Sequence, residues 1–254
     1  MIFKRAIAKL RAQDGLAITI EFAIVVAGVF VGTQVSNWND ARNERQQTAQ
    51  VLHGLKPELR NLIANFGTLR DYYAVTKHYS VTAFAGWRSD PTVSDRDFVI
   101  AAYQASQNSY TGVENSSWSQ IFGADRLRDI KDQRLHDELS TLMTTDFTTF
   151  EKELFTDYRR NVRKVIPEDV QDAIRSQCGD RRIGQLGYVA LPPTCALRLP
   201  DKRWAVAARA LRDHPDLVGE MRWHFAAVAS YVDKIANLQG MSQDVVKRIE
   251  DSKP

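Results

Sequence analysis

Apolar side chains are concentrated in one nearly unbroken run close to the start of the chain. The run extends from Gly15 to Val35, and Glu21 is the only charged residue within it. An α-helix of this length is roughly 31 Å long, which is close to the thickness of the hydrocarbon core of a bilayer. The pattern therefore predicts a transmembrane helix over residues 15–37.

The charges on the two sides of this run predict its orientation. Only Asp14 opposes the basic residues that precede the run, whereas the charges that follow it cancel. Because lysine and arginine accumulate on the cytoplasmic side, residues 1–14 are predicted to be cytoplasmic and residues 38–254 to lie outside the inner membrane, in the periplasm. The basic residues are Lys4, Arg5, Lys9 and Arg11.

A cleaved signal peptide is the alternative to a permanent anchor. It requires a shorter apolar core and a small-residue cleavage site. The run here is long, contains Glu21 and is followed by no Ala-x-Ala pattern, so an anchor is favoured. Trp38 lies just past the run and is predicted to anchor it among the lipid headgroups.

One face of the predicted membrane helix carries residues suited to helix association. Glu21, Gly28 and Gly32 share this face by helical spacing. The Gly28–Gly32 step permits close approach of two helices, and a protonated Glu21 can hydrogen-bond across the contact. The alternative is that the glycines are ordinary membrane-helix residues and that Glu21 reaches the interface. The predicted partners are the lipid bilayer and, through this helix, a second copy or another membrane protein.

Beyond the membrane run, apolar residues recur every three or four positions, which is typical of packed helices. The first stripe favours one face of a helical bundle over a free coiled coil. Because Gly54 and Pro57 interrupt it, we expect a kink or a restart of the helix at Pro57. The stripe comprises Leu52, Leu55, Leu59, Leu62, Phe66, Leu69 and Tyr73.

Further helices are predicted for most of the remaining chain. Ser94 and Asp132 are suited to cap two of them, and Tyr188–Leu191 is the one segment with strand-like alternation. The last helix, at roughly 54 Å, needs a long antiparallel partner, for which the Leu52–Tyr73 helix is the candidate. The predicted fold is all-α: a transmembrane helix followed by an elongated extracytoplasmic helical bundle with long antiparallel helices. The predicted helices cover residues 95–105, 115–122, 125–165, 168–176, 201–212 and 215–250.

The two cysteines and a group of basic residues are candidate features of the bundle. Cys178 and Cys195 flank a segment rich in glycine and proline, and in an oxidising compartment we expect them to pair and close a loop over residues 178–195. The basic group lies near the end of a predicted helix, where cations complement the helix dipole. It is interpreted as a solvated face, with an anion or acidic-partner site as the alternative. The group consists of Arg159, Arg160, Arg163 and Lys164.

Composition and motif content narrow the function classes. The formal net charge of +3 over 254 residues argues against a dedicated nucleic-acid-binding protein. No nucleophile elbow or phosphate-binding glycine loop is present, and no histidines have metal-ligand spacing. We therefore predict no catalytic, cofactor-binding or metal site, and we expect the histidines at the surface or at helix ends. A group of aromatic residues is expected to pack in the bundle core rather than line a ligand cleft: Tyr72, Tyr73, Tyr79, Phe84 and Trp87.

The membrane run and its exit resemble a known family. The stretch from Gly15 to Gln46 is similar to the N-terminus of a family of uncharacterised bacterial single-pass membrane proteins, in which an apolar segment with an early Glu leads into a Gln-x-x-Asn-Trp-Asn-type motif. A looser similarity covers Trp118–Ser140. The family carries no assigned activity, so the resemblance implies topology and nothing catalytic. The matching residues are Glu21, Gly28, Gln34, Asn37, Trp38 and Asn39.

These observations predict a non-enzymatic, membrane-anchored interaction or scaffold module, as an accessory subunit or a homo-oligomer. A ligand-binding sensor domain is the alternative. Because 14 residues before the membrane cannot hold an output domain, such a sensor would have to signal through a partner membrane protein. A periplasmic enzyme with a dispersed site is the second alternative.

Overall fold

The computed structural model describes residues 2–110, 127, 130–184 and 187–251, with side chains from residue 19 onward. Helices account for nearly all of the regular structure in these ranges, so the all-α prediction is confirmed. The helix predicted at residues 115–122 lies outside the described residues. The helices are α1 (Ile2–Trp87), α2 (Asp95–Gln104), α3 (Gln133–Thr144), α4 (Phe147–Lys152), α5 (Asp157–Val165), α6 (Glu168–Cys178), α7 (Asp201–Arg212) and α8 (Asp216–Asp251); the strands are β1 (Arg181–Ile183) and β2 (Tyr188–Ala190).

The chain divides into two compact units, Met1–Leu52 and His53–Lys253, and α1 contributes residues to both. In the first unit, every side chain from Thr19 to Asp40 is exposed. This part of α1 includes a window with a mean hydropathy of 1.6, none of which is buried. Within the described residues, α1 is the one helix long and apolar enough to cross a membrane.

The second unit is built on the antiparallel pairing of α1 with α8. Nη2 of Arg60 donates to Oε1 of Glu250 at 2.7 Å, and Nη1 of Arg70 donates to Oε1 of Gln239 at 3.0 Å. Further along α1, Lys77 lies 4.9 Å from the centre of the Phe225 ring. Residue numbers therefore rise along α1 as those of its partner fall, which confirms the predicted antiparallel pair. The end of α8 at Asp251 is one residue beyond the predicted end.

The expected restart of the helix at Pro57 is wrong, because α1 continues through this residue. Proline lacks the N–H that would bond to the carbonyl of His53, and in a helix interior this loss is costly. Here His53 and Pro57 both lie on the exposed side of the helix, where water can bond to the freed carbonyl. The opposite side remains fully packed, because Leu55 and Leu59 have no exposed surface.

The region predicted to be helical over residues 125–165, with a helix start at Gln133, contains two further breaks that were not predicted. Its described part forms α3, α4 and α5, with breaks at residues 145–146 and 153–156. Asp146 starts a new helix, because its carboxylate accepts a hydrogen bond from the backbone N–H of Thr149 at 3.2 Å. Helical spacing nevertheless persists, because Phe147, Leu154 and Tyr158 are all buried in the same core.

The caps predicted at the other helix starts are confirmed. Oγ of Ser94 accepts from the N–H of Asp97 at 3.1 Å at the start of α2, and Asp132 accepts from the N–H of Leu135 at 3.1 Å at the start of α3. Pro167 precedes α6, as expected for a residue that cannot donate within the first turn. The core of the second unit is formed by α1 and α8 together with the shorter helices, among which α2 packs on α7 and α5 packs on α8.

Candidate functional site

The face of α1 that carries Glu21 is open in the first unit. A Cβ atom added to Gly28 or Gly32 would meet nothing within 4 Å. Glu21 and Trp38 are exposed, and Trp38 has 64% of its surface accessible. The side chains around these residues are large and apolar, including Phe22, with 69% of its surface exposed. This surface is therefore available for lipid and for a second helix.

The segment between Cys178 and Cys195 is closed at its base. Their sulfur atoms lie at disulfide-bonding distance, as predicted, and their Cα atoms are 5.5 Å apart. Nε2 of Gln104 donates to the carbonyl of Cys178 at 2.6 Å, and Nη2 of Arg96 donates to the carbonyl of Cys195 at 2.8 Å. Both ends of the loop are thus tied to α2.

The same loop contains the hairpin and is tied to α1. Strand β1 pairs antiparallel with β2, and the turn between them includes Gly184 and Gly187, with φ angles of +66° and +69°. Such angles favour glycine because it lacks a Cβ. The hydroxyl of Tyr79 donates to the carbonyl of Pro192 at 2.9 Å, and that of Tyr188 donates to the carbonyl of Asn61 at 2.8 Å. Only the second strand of this hairpin was predicted from the sequence.

The structure divides the predicted basic cluster into two pairs. Arg160 and Lys164 are exposed on α5, and Arg160 is paired with Asp157 at 2.5 Å. Arg159 and Arg163 are half-buried and reach the segment that follows α2. Their side chains therefore do not form one continuous cationic surface.

The inward pair of arginines holds this buried segment through neutral acceptors. Nη1 of Arg159 donates to the carbonyl of Ser106 at 2.6 Å, and Nη2 of Arg163 donates to Oε1 of Gln107 at 3.0 Å. The Arg163 guanidinium also lies 4.6 Å from the centre of the Tyr103 ring. Burial and the neighbouring Arg159 charge lower the pKa of Arg163. The arrangement satisfies irregular backbone in the interior, which is a structural role.

Two tyrosines of α1 connect to the same region. The Tyr73 hydroxyl donates to the carbonyl of Ser109 at 2.7 Å and accepts from the Ser109 N–H at 3.1 Å. The Tyr72 hydroxyl donates to Oδ1 of Asp180 at 3.0 Å. Burial raises the pKa of Tyr72 and of Asp180. Of the aromatic group predicted for the core, Tyr72, Tyr73 and Tyr79 are buried, whereas Phe84 and Trp87 are half-buried.

His224 corrects the expectation that the histidines lie at the surface or at helix ends, because it has no exposed surface. Its Nδ1 lies 2.8 Å from Oγ1 of Thr156. Burial, followed by the charge of Arg159, lowers the pKa of His224 to about 4. It lies on α8 one residue before Phe225, within a helical stripe that the sequence shows. Nothing in the sequence pattern distinguishes this histidine from the other four.

Two kinds of feature bear on catalysis among the side chains that the structure describes, namely clusters of candidate metal ligands and networks of polar groups. Among those side chains, no group of three or more His, Cys, Asp or Glu residues is placed to hold a metal ion. The hydrogen bonds of Arg159, Tyr73 and Thr156 join groups of the interior to one another. These hydrogen bonds therefore hold interior segments of the second unit together.

Comparison with protein-family models, with curated proteins and with solved structures gives no match for this chain. The resemblance to single-pass membrane proteins over residues 15–46 therefore stays a prediction.

Proposed function

We propose that this protein is a membrane-anchored, periplasmic helical interaction module, working as an accessory subunit or a homo-oligomer in the bacterial inner membrane. Residues 15–37 span the bilayer, residues 1–14 are cytoplasmic, and residues 38–254 form the periplasmic domain. The helix associates with a second membrane helix through Glu21, Gly28 and Gly32.

One observation carries this proposal: the contrast in burial between the two units. The apolar side chains between Ile20 and Val35 are exposed, whereas those of the second unit form an interior in which Leu55, Leu59 and Phe66 have no exposed surface. Continuous exposed apolar surface of this kind marks a membrane or a partner site. A bilayer accounts for its length, and the open Gly28–Gly32 face accounts for a helix contact within it.

The anchoring part is tested by extracting membranes with alkaline carbonate. The full chain is expected to stay in the pellet, as does a protein held by a spanning helix. Release of most of the chain into the supernatant would contradict the anchor.

The association part is tested by cross-linking the tagged full chain in intact cells, followed by purification in mild detergent and mass spectrometry. A discrete stoichiometric partner would identify an accessory subunit, and recovery of self alone a homo-oligomer. Glu21→Leu with Gly32→Ile should abolish the cross-linked species. Val26→Phe, on the opposite face of the helix by spacing, is the matched control and should leave them unchanged. The same cross-linked pattern in both variants would contradict the proposed face.

A further inference from the structure

The pair of α1 and α8 leaves an open groove of about 570 Å³ on the second unit. All of its lining residues belong to these two helices. Phe225, Val228 and Val232 give it apolar walls, and the small residues Gly67, Ala74 and Ala229 keep it open. No side chain from a third described element lines it.

A contact between α1 and α8 shows which residues of the two helices lie at the same level along the groove. The rings of Tyr73 and Tyr231 meet edge to face, with centres 5.5 Å apart. Ala74 directly follows Tyr73, and Ala229 lies two residues before Tyr231, so both lie close to this level of the groove. A helix laid against either wall would meet a small residue at this point, which permits close approach.

The rims of the groove carry opposite net charge. The α1 rim has Arg70 and Lys77 with one acidic residue, Asp71, and the α8 rim has Asp233. Arg70 is held toward α8 by its bond to Gln239. The groove thus has a net basic rim on α1 beside a net acidic rim on α8.

We propose that a second copy of the chain docks on this groove, with α1 of each copy against α8 of the other. A two-fold axis parallel to the helices places the net basic rim of one copy against the net acidic rim of the other. It also makes every pair of neighbouring helices antiparallel, as in a four-helix bundle. A two-fold interface uses the same patch on both subunits, and this patch contains both complementary halves.

The groove suits a helix pair better than a small ligand. Ligand sites enclose most of their ligand and converge a few polar groups on it, whereas this groove is open and its charges lie at the rims. The inference rests on the proposed function in one respect: copies that share a membrane anchor contact are held at high effective concentration. A modest docking surface is then sufficient.

The test uses the full chain in its native membrane, expressed as two differently tagged copies. One copy carries Ala74→Cys and the other Ala229→Cys, and a short bis-maleimide reacts with the introduced thiols while the native cysteines stay paired. The expected result is a cross-linked product that contains both tags. It should be lost when Ala229→Cys is replaced by Ala226→Cys, which is exposed on the same helix but does not line the groove.

A second variant blocks the groove without adding a thiol. Ala229→Trp should prevent cross-linking between Ala74→Cys on one copy and Val232→Cys on the other, a reporter that keeps the charge of Asp233, whereas Ala226→Trp should not. Equal products from the Ala226→Cys and Ala229→Cys pairs would overturn the docking geometry. If the tagged copies co-purify through the Glu21–Gly32 face but give no groove product, the docking proposal fails and the proposed function stands. If they do not co-purify at all, self-association fails and the docking proposal fails with it.

Discussion

Oγ1 of Thr156 and Nδ1 of His224 lie 2.8 Å apart in the interior of the second unit. The pairing joins the start of α5 to the N-terminal third of the core helix α8, where His224 has no exposed surface. A charged imidazole is disfavoured there, first by burial and then by the nearby charge of Arg159. The neutral form of His224 is therefore part of the folded structure.

The stability of the protein should fall in mild acid because of this histidine. Its pKa is about 4 in the folded protein, against 6.5 for the free side chain. Between these two pKa values the unfolded state binds more protons than the folded state. The free energy of unfolding is therefore at its full value above pH 6.5 and decreases as the pH falls. The decrease reaches about 3 kcal/mol at pH 4. His224→Gln cannot be protonated and should flatten this dependence, whereas His53→Gln, at an exposed position, should retain it. Urea unfolding of the full chain in detergent between pH 7.5 and 4.5 measures this pH dependence of stability. If wild type and His224→Gln lost stability in parallel as the pH falls, the loss could not be attributed to His224.

Two contacting tyrosines should respond differently to loss of the hydroxyl. The Tyr73 hydroxyl bonds to both the carbonyl and the N–H of Ser109, so Tyr73→Phe leaves buried backbone groups unpaired and should cost about 1–3 kcal/mol. Among the residues that the structure describes, the buried Tyr231 hydroxyl has no hydrogen-bond partner. Tyr231→Phe should therefore be neutral or slightly stabilising. Denaturation midpoints of the two variants provide the comparison, and a larger loss for Tyr231→Phe would show that the partners are assigned wrongly.

Removing the cysteine pair should destabilise the folded protein. A crosslink that spans 17 positions lowers the conformational entropy of the unfolded chain. In the chain-entropy treatment this raises the free energy of unfolding by about 3 kcal/mol. Cys178→Ser with Cys195→Ser should lower the unfolding free energy by a similar amount. Adding reductant should weaken the wild type and leave the double variant unchanged. Quantitative labelling of both native cysteines by maleimide in denaturant without reductant would contradict the pairing.

The proposed topology predicts which side of the membrane each segment faces. In cells with a permeabilised outer membrane, an impermeant maleimide should label Lys202→Cys, an exposed position in the second unit. It should label Gln13→Cys only after the inner membrane is lysed. The reverse pattern would invert the orientation expected from the basic residues that precede the apolar run.

Helix type and long-range pairing were predictable because they depend on repeated burial. The apolar stripes of α1 and α8 extend over many turns, and the sequence predicted the length of α8 and the antiparallel pairing of the two helices, although not the continuity of α1 through Pro57. The bounds of α7, Asp201–Arg212, are the predicted ones. Here Pro200 before the helix and the polar residues after Leu211 act as local end signals.

Local features that preserve the burial pattern were harder to predict. Leu139, Phe147 and Leu154 are buried on both sides of the helix break at Asp146, so the spacing of apolar residues does not reveal this break. The Thr-Asp sequence before Phe147, which is typical of a helix start, was the one local indication of it. Strand β1 has three exposed residues and no alternation of burial to detect. The inward turn of Arg159 and Arg163 depends on Ser106 and Gln107, which are distant in sequence.

The contact between Arg60 and Glu250 joins positions 190 residues apart. Ribosomes add roughly 5–20 residues per second, so α1 emerges on the order of 10 s or more before its partner is complete. During that interval the leucines that later face α8 are exposed to solvent or to other chains. Biogenesis of this protein should therefore be sensitive to holding factors at the site where the chain emerges, and truncations that remove α8 should aggregate rather than leave a smaller folded core.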